Sequence, residues 1–287
     1  MKTESKVLAC VDQSPYAAAV TDYAAWAAKT LDAGLELLHV IERESEMTIS
    51  EDHSGALGVD AQEQLLSELT ERDQVRHRSV REAGRLFLNE LRERARLTGL
   101  TEVDVRQRMG TLQEAVADRD DDVSLYVLGR RGVSAASTQR DIGRNVQSLV
   151  RKRRQPILAV TDEFVAPKRV LLAFDGSQMT RRGVAMIASG KLFKDLPVHV
   201  LMAGHATSQG ARQLEWARQL LKDAGFDVHT HQTPGDPETE ITKAIKDLQV
   251  DILAMGAYSH SPWRSLFFGS KTTDLLRSAP IATLLLR

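Results

Sequence analysis

The 287-residue chain has one cysteine, Cys10, so no disulfide framework can form within it. Cys10 lies in the apolar run Val7-Leu8-Ala9-Cys10-Val11, where a buried structural thiol is expected, not a catalytic or redox one. An excess of charge is missing as well. Lys and Arg number 38 against 39 Asp and Glu, a formal net charge of −1, which gives no support to a polyanion-binding role. No stretch approaches the roughly 20 apolar residues that span a bilayer, and MKTESKVLACVDQS at the start has no sustained apolar region of the signal-peptide kind. The expectation is a cytoplasmic protein with neither membrane nor nucleic acid as partner. Catalytic fingerprints are also lacking: there is no G-x-x-x-x-G-K-[ST], no G-x-G-x-x-G after a first strand, no G-x-S-x-G and no cysteine-nucleophile constellation. Nothing specifies a general base poised over a substrate, so no catalytic residue is assigned and the chain reads as a non-enzyme.

What is present is a sequence written twice. A composition of 42% hydrophobic and 27% charged residues is ordinary globular usage, and the length suits two domains of about 140 residues. Lys6-Val7-Leu8-Ala9-Cys10-Val11-Asp12-Gln13-Ser14 returns as Arg169-Val170-Leu171-Leu172-Ala173-Phe174-Asp175-Gly176-Ser177. Each reads as a buried strand followed by a helix. Ser14 is expected to cap the first helix, with Pro15 at its first position and an end near Leu31, and Ser177 to cap the second. Leu35–Ile41 pairs with Val198–Met202, and Val103–Gly110 with Phe226–Gly235. Leu125–Gly129 then matches Asp251–Gly256, and Pro156–Val160 matches Pro280–Leu284. Apolar runs without polar alternation are the mark of strands covered on both faces.

Five strands alternating with helices, twice over, predict an α/β protein of two tandem, doubly wound, five-strand parallel-sheet domains. The first is placed at 1–162 and the second at 168–287, with the linker around Thr161–Lys168. The first domain carries a charged insertion at about 43–100, read largely as one or two amphipathic helices that form a solvated insertion, with a partner-docking arm as the alternative. The fifth strands, ending in Val160 and Leu286, are candidates for pairing across the halves or between chains, the second case giving a homodimer.

In such sheets ligands bind beyond the carboxyl ends of the strands, where the winding reverses. Asp12 and Asp175 close the first strands, and Gly129 and Gly256 close the fourth. Beyond Gly129 come Gly132, Gly143 and Arg144; beyond Gly256 come Ser259, Gly269 and Ser270. Glycine permits positive φ and close approach of a ligand, and curled backbone N–H groups at a helix start can hold phosphate oxygens. The alternative is that these glycines only end a strand and begin a helix.

The repeated D-x-S strand, the Gly235-Asp236-Pro237 turn and the G-x-x-G/S-x9-G-S loop resemble the universal stress protein family, here in a tandem arrangement. That resemblance implies an adenine nucleotide hydrolase-like fold and a regulatory protein of the stress response. Many family members bind ATP, with the first-strand Asp beside the adenosine and the glycine loop around the phosphates. For this chain it implies ATP or another adenine nucleotide, with or without Mg2+, held by Asp175, Gly256, Ser259, Gly269 and Ser270. In the first half Asp12, Gly129, Gly132, Gly143 and Arg144 form a degenerate or differently used counterpart, Arg144 replacing a hydroxyl with charge. Occupancy would tune stability or contacts with an unidentified protein partner. A ligand-free scaffold and a slow ATPase are the competing readings.

Three other features have plainer explanations. His229 and His231 share one strand face without a clear third ligand, so they read as surface or strand-end residues and no metal site is assigned. Arg151-Lys152-Arg153-Arg154 falls at a helix C-terminus, where cations meet the macrodipole. Trp263, Phe267 and Phe268 are expected to pack the glycine loop down or cover a subunit contact.

Overall fold

A computed structural model describes residues 5–41, 59–117, 122–131, 144–256 and 279–287; side chains are described in these spans except at 59–74, 76, 77 and 144. The first half runs β1 (Lys6–Val11), α1 (Ala17–Leu31), β2 (Gly34–Ile41), α2 (Val59–Leu97), β3 (Val103–Met109), α3 (Leu112–Ala115), β4 (Val123–Gly129), α4 (Arg144–Lys152) and β5 (Ile157–Val160). The second runs β6 (Val170–Ala173), α5 (Gln178–Ser189), β7 (Val198–Ala203), α6 (Ser208–Asp223), β8 (Val228–Thr233), α7 (Pro237–Asp247), β9 (Ile252–Gly256) and β10 (Ala282–Leu286). Both halves have the same winding, and they join into one ten-stranded sheet ordered β3-β2-β1-β4-β5-β10-β9-β6-β7-β8.

Every described pairing is parallel except that of β5 with β10, which is antiparallel, with Thr283 opposite Ala159, Leu284 opposite Leu158 and Leu285 opposite Ile157. The fifth strands therefore pair across the halves. A homodimer through them is not available in this arrangement, because β5 lies between β4 and β10, and β10 between β5 and β9. The outer strands are β3 and β8. All residues of β5 and β10 are buried, as expected of strands covered on both faces.

Two arginines secure this seam. Arg130, buried directly after β4, donates from its guanidinium to the carbonyls of Ala279 and Ile281 at the entrance to β10. Burial pulls its pKa down to about 10, which still leaves it cationic at neutral pH. At the other end Arg287 donates to the carbonyls of Val150, Arg151 and Arg153 at the end of α4. Arg153 donates at 3.2 Å to Ala117 O. The basic run thus belongs to a helix terminus and its partners, as the macrodipole argument requires.

The core has two sides. One holds α1, α2, α5 and α6, with Tyr23, Ala24, Ala28, Leu88, Leu91, Val184 and Leu221 packed on the sheet. The other holds α3, α4 and α7, with Leu112, Leu149, Ile241 and Ile245. The linker joins the first side: Phe164 meets the Tyr23 ring edge-on at 4.8 Å.

Two expectations are corrected here. Helix α1 begins at Ala17 with Tyr16 at its N-cap and no side-chain cap, so Ser14 and Pro15 precede it. The reason is local. Ser14 N donates to Asp12 Oδ1 at 3.2 Å, Tyr16 N donates to Ser14 Oγ at 3.3 Å and Ala17 N to Ser14 O at 3.1 Å, so a turn uses these groups before the helix starts. The charged insertion, in turn, is not wholly solvated. Its α2 is one 39-residue helix; Val75 and Val80 are exposed, but Leu88, Leu91 and Ala95 are buried and Arg94 grips Asp22 of α1 at 2.6 and 2.7 Å. Cys10 is only partly buried. Its surroundings, with Glu36 and Asp12 adding to desolvation, push the thiol up to about 12, so it stays a protonated, poor nucleophile at neutral pH.

Leu88→Ala is expected to cost about 2–5 kcal/mol while Val75→Ala stays within about 0.5 kcal/mol, measured as urea-unfolding free energies. Arg130→Met, which keeps the apolar stem but strands two carbonyls, is expected to lower stability by about 2–4 kcal/mol. An unchanged unfolding midpoint for Arg130→Met would remove the arginine from the seam's support.

Candidate functional site at the strand ends

Strands β6 and β9 are neighbours, and the chain leaves them in opposite directions across the sheet: β6 continues through α5 to β7, and β9 is followed in the sheet by β10. Ala173 lies opposite Met255, so Asp175 and Gly256 emerge at the same end of adjacent strands. This is the switch point of the second half. Asp175 is fixed by its own turn. Its Oδ1 accepts from Ser177 N at 2.9 Å and from Thr180 Oγ1 at 2.7 Å, an Asx-type turn closed by Gly176 at φ +73°. Ser177 then caps α5, its Oγ accepting from Thr180 N at 3.3 Å, as expected from the sequence. The result is a carboxylate, a glycine strand end and a capped helix N-terminus brought to one place.

Gly256 is there for closeness. A Cβ on it would stand 3.1 Å from Met179 Cγ and 3.4 Å from Thr180 Cγ2. The first half repeats the arrangement with Asp12 after β1 and Gly129 at the end of β4, but the covering side chain differs. A Cβ on Gly129 would lie 2.8 Å from Tyr16 Cβ and 3.0 Å from its Cγ. Tyr16 corresponds to Met179, so a rigid ring system covers one switch point and a flexible thioether the other. The structure thus brings together Asp175 with Gly256, and Asp12 with Gly129. Ser259, Gly269, Ser270, Gly132 and Gly143 lie outside the described residues, as do Trp263, Phe267 and Phe268; Arg144 opens α4, its side chain outside them. The turn after β8 is also formed: Gly235 has φ +137° and Asp236 caps α7 by accepting from Thr239 N at 3.3 Å.

A second group of polar side chains lies at the opposite end of the strands. His199 on β7 stands in register with His229 on β8, and its ring lies between two others, 5.0 Å from that of His229 and 5.3 Å from that of His231. His199 Nδ1 is 3.1 Å from His231 Nε2. Desolvation, followed by the neighbouring imidazoles, holds His199 and His231 below the usual histidine range. The sequence reading found His229 and His231 but missed His199; writing Val198-His199 above Val228-His229 in parallel register would have exposed it. Among the described residues no helix is long and apolar enough to cross a membrane.

The universal stress protein family model matches residues 4–161 and again 167–287. Universal stress protein Slr1230 of Synechocystis is 29% identical over 284 residues, covering 98% of this chain and 99% of that protein. Among solved structures, a universal stress protein from Archaeoglobus fulgidus superposes with a TM-score of 0.68 at 16% identity, over 98% of this chain and 96% of that one. A functionally unknown protein, PA1789 from Pseudomonas aeruginosa, gives 0.58 at 18% identity, over 99% and 93%. These two likenesses establish the fold. The family rests on the paired match that covers nearly the whole chain: the protein belongs to the universal stress protein family, with two copies of the family's unit in tandem.

Proposed function

We propose that the chain is a regulatory protein of the stress response that binds an adenine nucleotide, ATP or a relative, at the switch point of its second half. The observation that carries this reading is the meeting of Asp175, Gly256 and the Ser177-capped start of α5 at one end of adjacent strands. A carboxylate suits ribose hydroxyls. A helix start next to a side-chain-free strand end suits phosphate oxygens. Family membership supplies the adenine preference, and Ser259, Gly269 and Ser270 are the proposed phosphate-side residues. Any Mg2+ would accompany the phosphates. A flexible Met179 over Gly256 favours the second half over the first, where Tyr16 packs on Gly129. Binding to the folded state alone would add about 2.7 kcal/mol of stability at a ligand concentration one hundred times Kd, which gives occupancy a route to stability and to partner contacts. We also place the domain limits at 1–162 and 168–287, and the protein in the cytoplasm.

One observation favours the ligand-free scaffold as a second reading: in both halves a side chain, Tyr16 or Met179, packs on the strand-end glycine. The purified full chain is expected to release adenine nucleotide on denaturation or to bind ATP by calorimetry. Asp175→Ala and Gly256→Val should each weaken binding by tenfold or more, about 1.4 kcal/mol, with Asp12→Ala much milder. Absence of both release and binding heat in the unsubstituted protein would leave the scaffold. Phosphate release that disappears in Gly269→Val would instead support the slow ATPase.

A further inference from the structure

The two halves are built alike, yet one patch at the amino-terminal ends of their strands differs in chemistry. In the first half Leu8, Glu36 and Asp104 stand in register across β1, β2 and β3, with Arg106 two residues beyond Asp104. They form a neutralised network: Lys6 Nζ lies 2.9 Å from Asp104 and 3.8 Å from Glu36, and Arg106 Nε lies 3.2 Å from Glu36. In the second half the corresponding positions are Leu171, His199, His229 and His231. Arg169 takes the place of Lys6. Three imidazoles thus replace two carboxylates and a guanidinium. Asp227 is the carboxylate within reach, its Oδ1 3.4 Å from His229 Nε2.

We propose that His199 and His231 form a two-imidazole seat for a divalent late transition-metal ion such as Zn2+, Ni2+ or Cu2+, with His229 as an auxiliary donor. Nitrogen-to-metal bonds are about 2.0–2.1 Å. An ion at that distance from two nitrogens 3.1 Å apart would subtend roughly 100° between them, within the range that tetrahedral and square sites accept. The donors sit on two adjacent strands of a continuous sheet, so the backbone holds the chelate's span, and both rings are partly exposed, leaving the remaining positions to water or an outside ligand. Neutral imidazole is the ligating form, and desolvation followed by the neighbouring imidazoles disfavours protonation of both His199 and His231. Asp227 beside His229 is the kind of carboxylate that orients a ligating histidine. Among the described residues no group of three or more His, Cys, Asp or Glu side chains is placed to hold a metal ion; the seat is the pair, and His229 would have to rotate its side chain to join. An ion there would tie the outer strand β8 to β7, at the end of the sheet away from Asp175 and Gly256.

The test is calorimetric titration of the full chain, freed of metal by chelator, with Zn2+ and separately Ni2+ at pH 7.5, repeated for His199→Ala, His231→Gln and His229→Ala. Expected are one ion per chain at this seat, a loss of affinity of roughly tenfold or more in each of the first two variants, a smaller loss in the third, and weakening as pH falls and the imidazoles take up protons. Far-ultraviolet circular dichroism checks that the variants remain folded. Binding that survives unchanged in His199→Ala, or no binding by the unsubstituted chain, overturns the proposal and leaves an imidazole–imidazole hydrogen bond. Nucleotide binding is measured on the same samples and is expected to be unchanged, so this result stands or falls apart from the proposed function.

Discussion

One antiparallel pairing, β5 against β10, determines how the rest of the molecule is arranged. Each half ends in a short strand that is apolar on both faces, and such a strand left at an edge would present unpaired backbone groups next to side chains that need burial. Pairing the two ends solves both difficulties at once and converts two edges into the centre of a ten-stranded sheet. Arg130 and Arg287 then reach across, one at each end of the seam, to carbonyls of the opposite half. The two buried faces run through the junction, so apolar residues of both halves belong to the same core.

Much of this architecture was legible. Buried parallel strands need apolar runs, and those runs occur twice in the same order, so ten strands and the common winding follow from the repeat alone. Which partner the fifth strands take was not legible, because Ile157–Val160 and Ala282–Leu286, apolar but for Thr283, would suit either a second half or a second chain. Ser14 illustrates a different limit. The pattern Asp-Gln-Ser-Pro contains both a turn and a cap, and which one forms depends on whether the Ser14 groups are taken up before Ala17; in the second copy, without proline, Ser177 caps its helix as its type suggests.

Charge obscured a core element in α2. The density of Arg and Glu over residues 63–96 reads as solvent-facing, but Leu88, Leu91 and Ala95, spaced to fall on one helical face, mark a buried stretch. At the candidate site the aspartates and glycines could be placed at strand ends from sequence, since strand boundaries and turn residues locate them. What covers those glycines could not, because Tyr16 and Met179 reach them through space from the starts of α1 and α5, far earlier in the chain. His199 escaped notice for a related reason: its neighbours in the sheet are 30 and 32 residues away, and only strand register brings them together.

The reversal at the seam also sets a polarity for the whole molecule. Strands of the first half point their carboxyl ends toward one rim of the sheet, and strands of the second half point theirs toward the opposite rim. Asp12 and Gly129 therefore share a rim with the histidines, while Asp175 and Gly256 face away from them across the full length of the strands. A ligand at Asp175 and Gly256 and one at the histidines would be separated by the length of the second-half strands, without the seam lying between them.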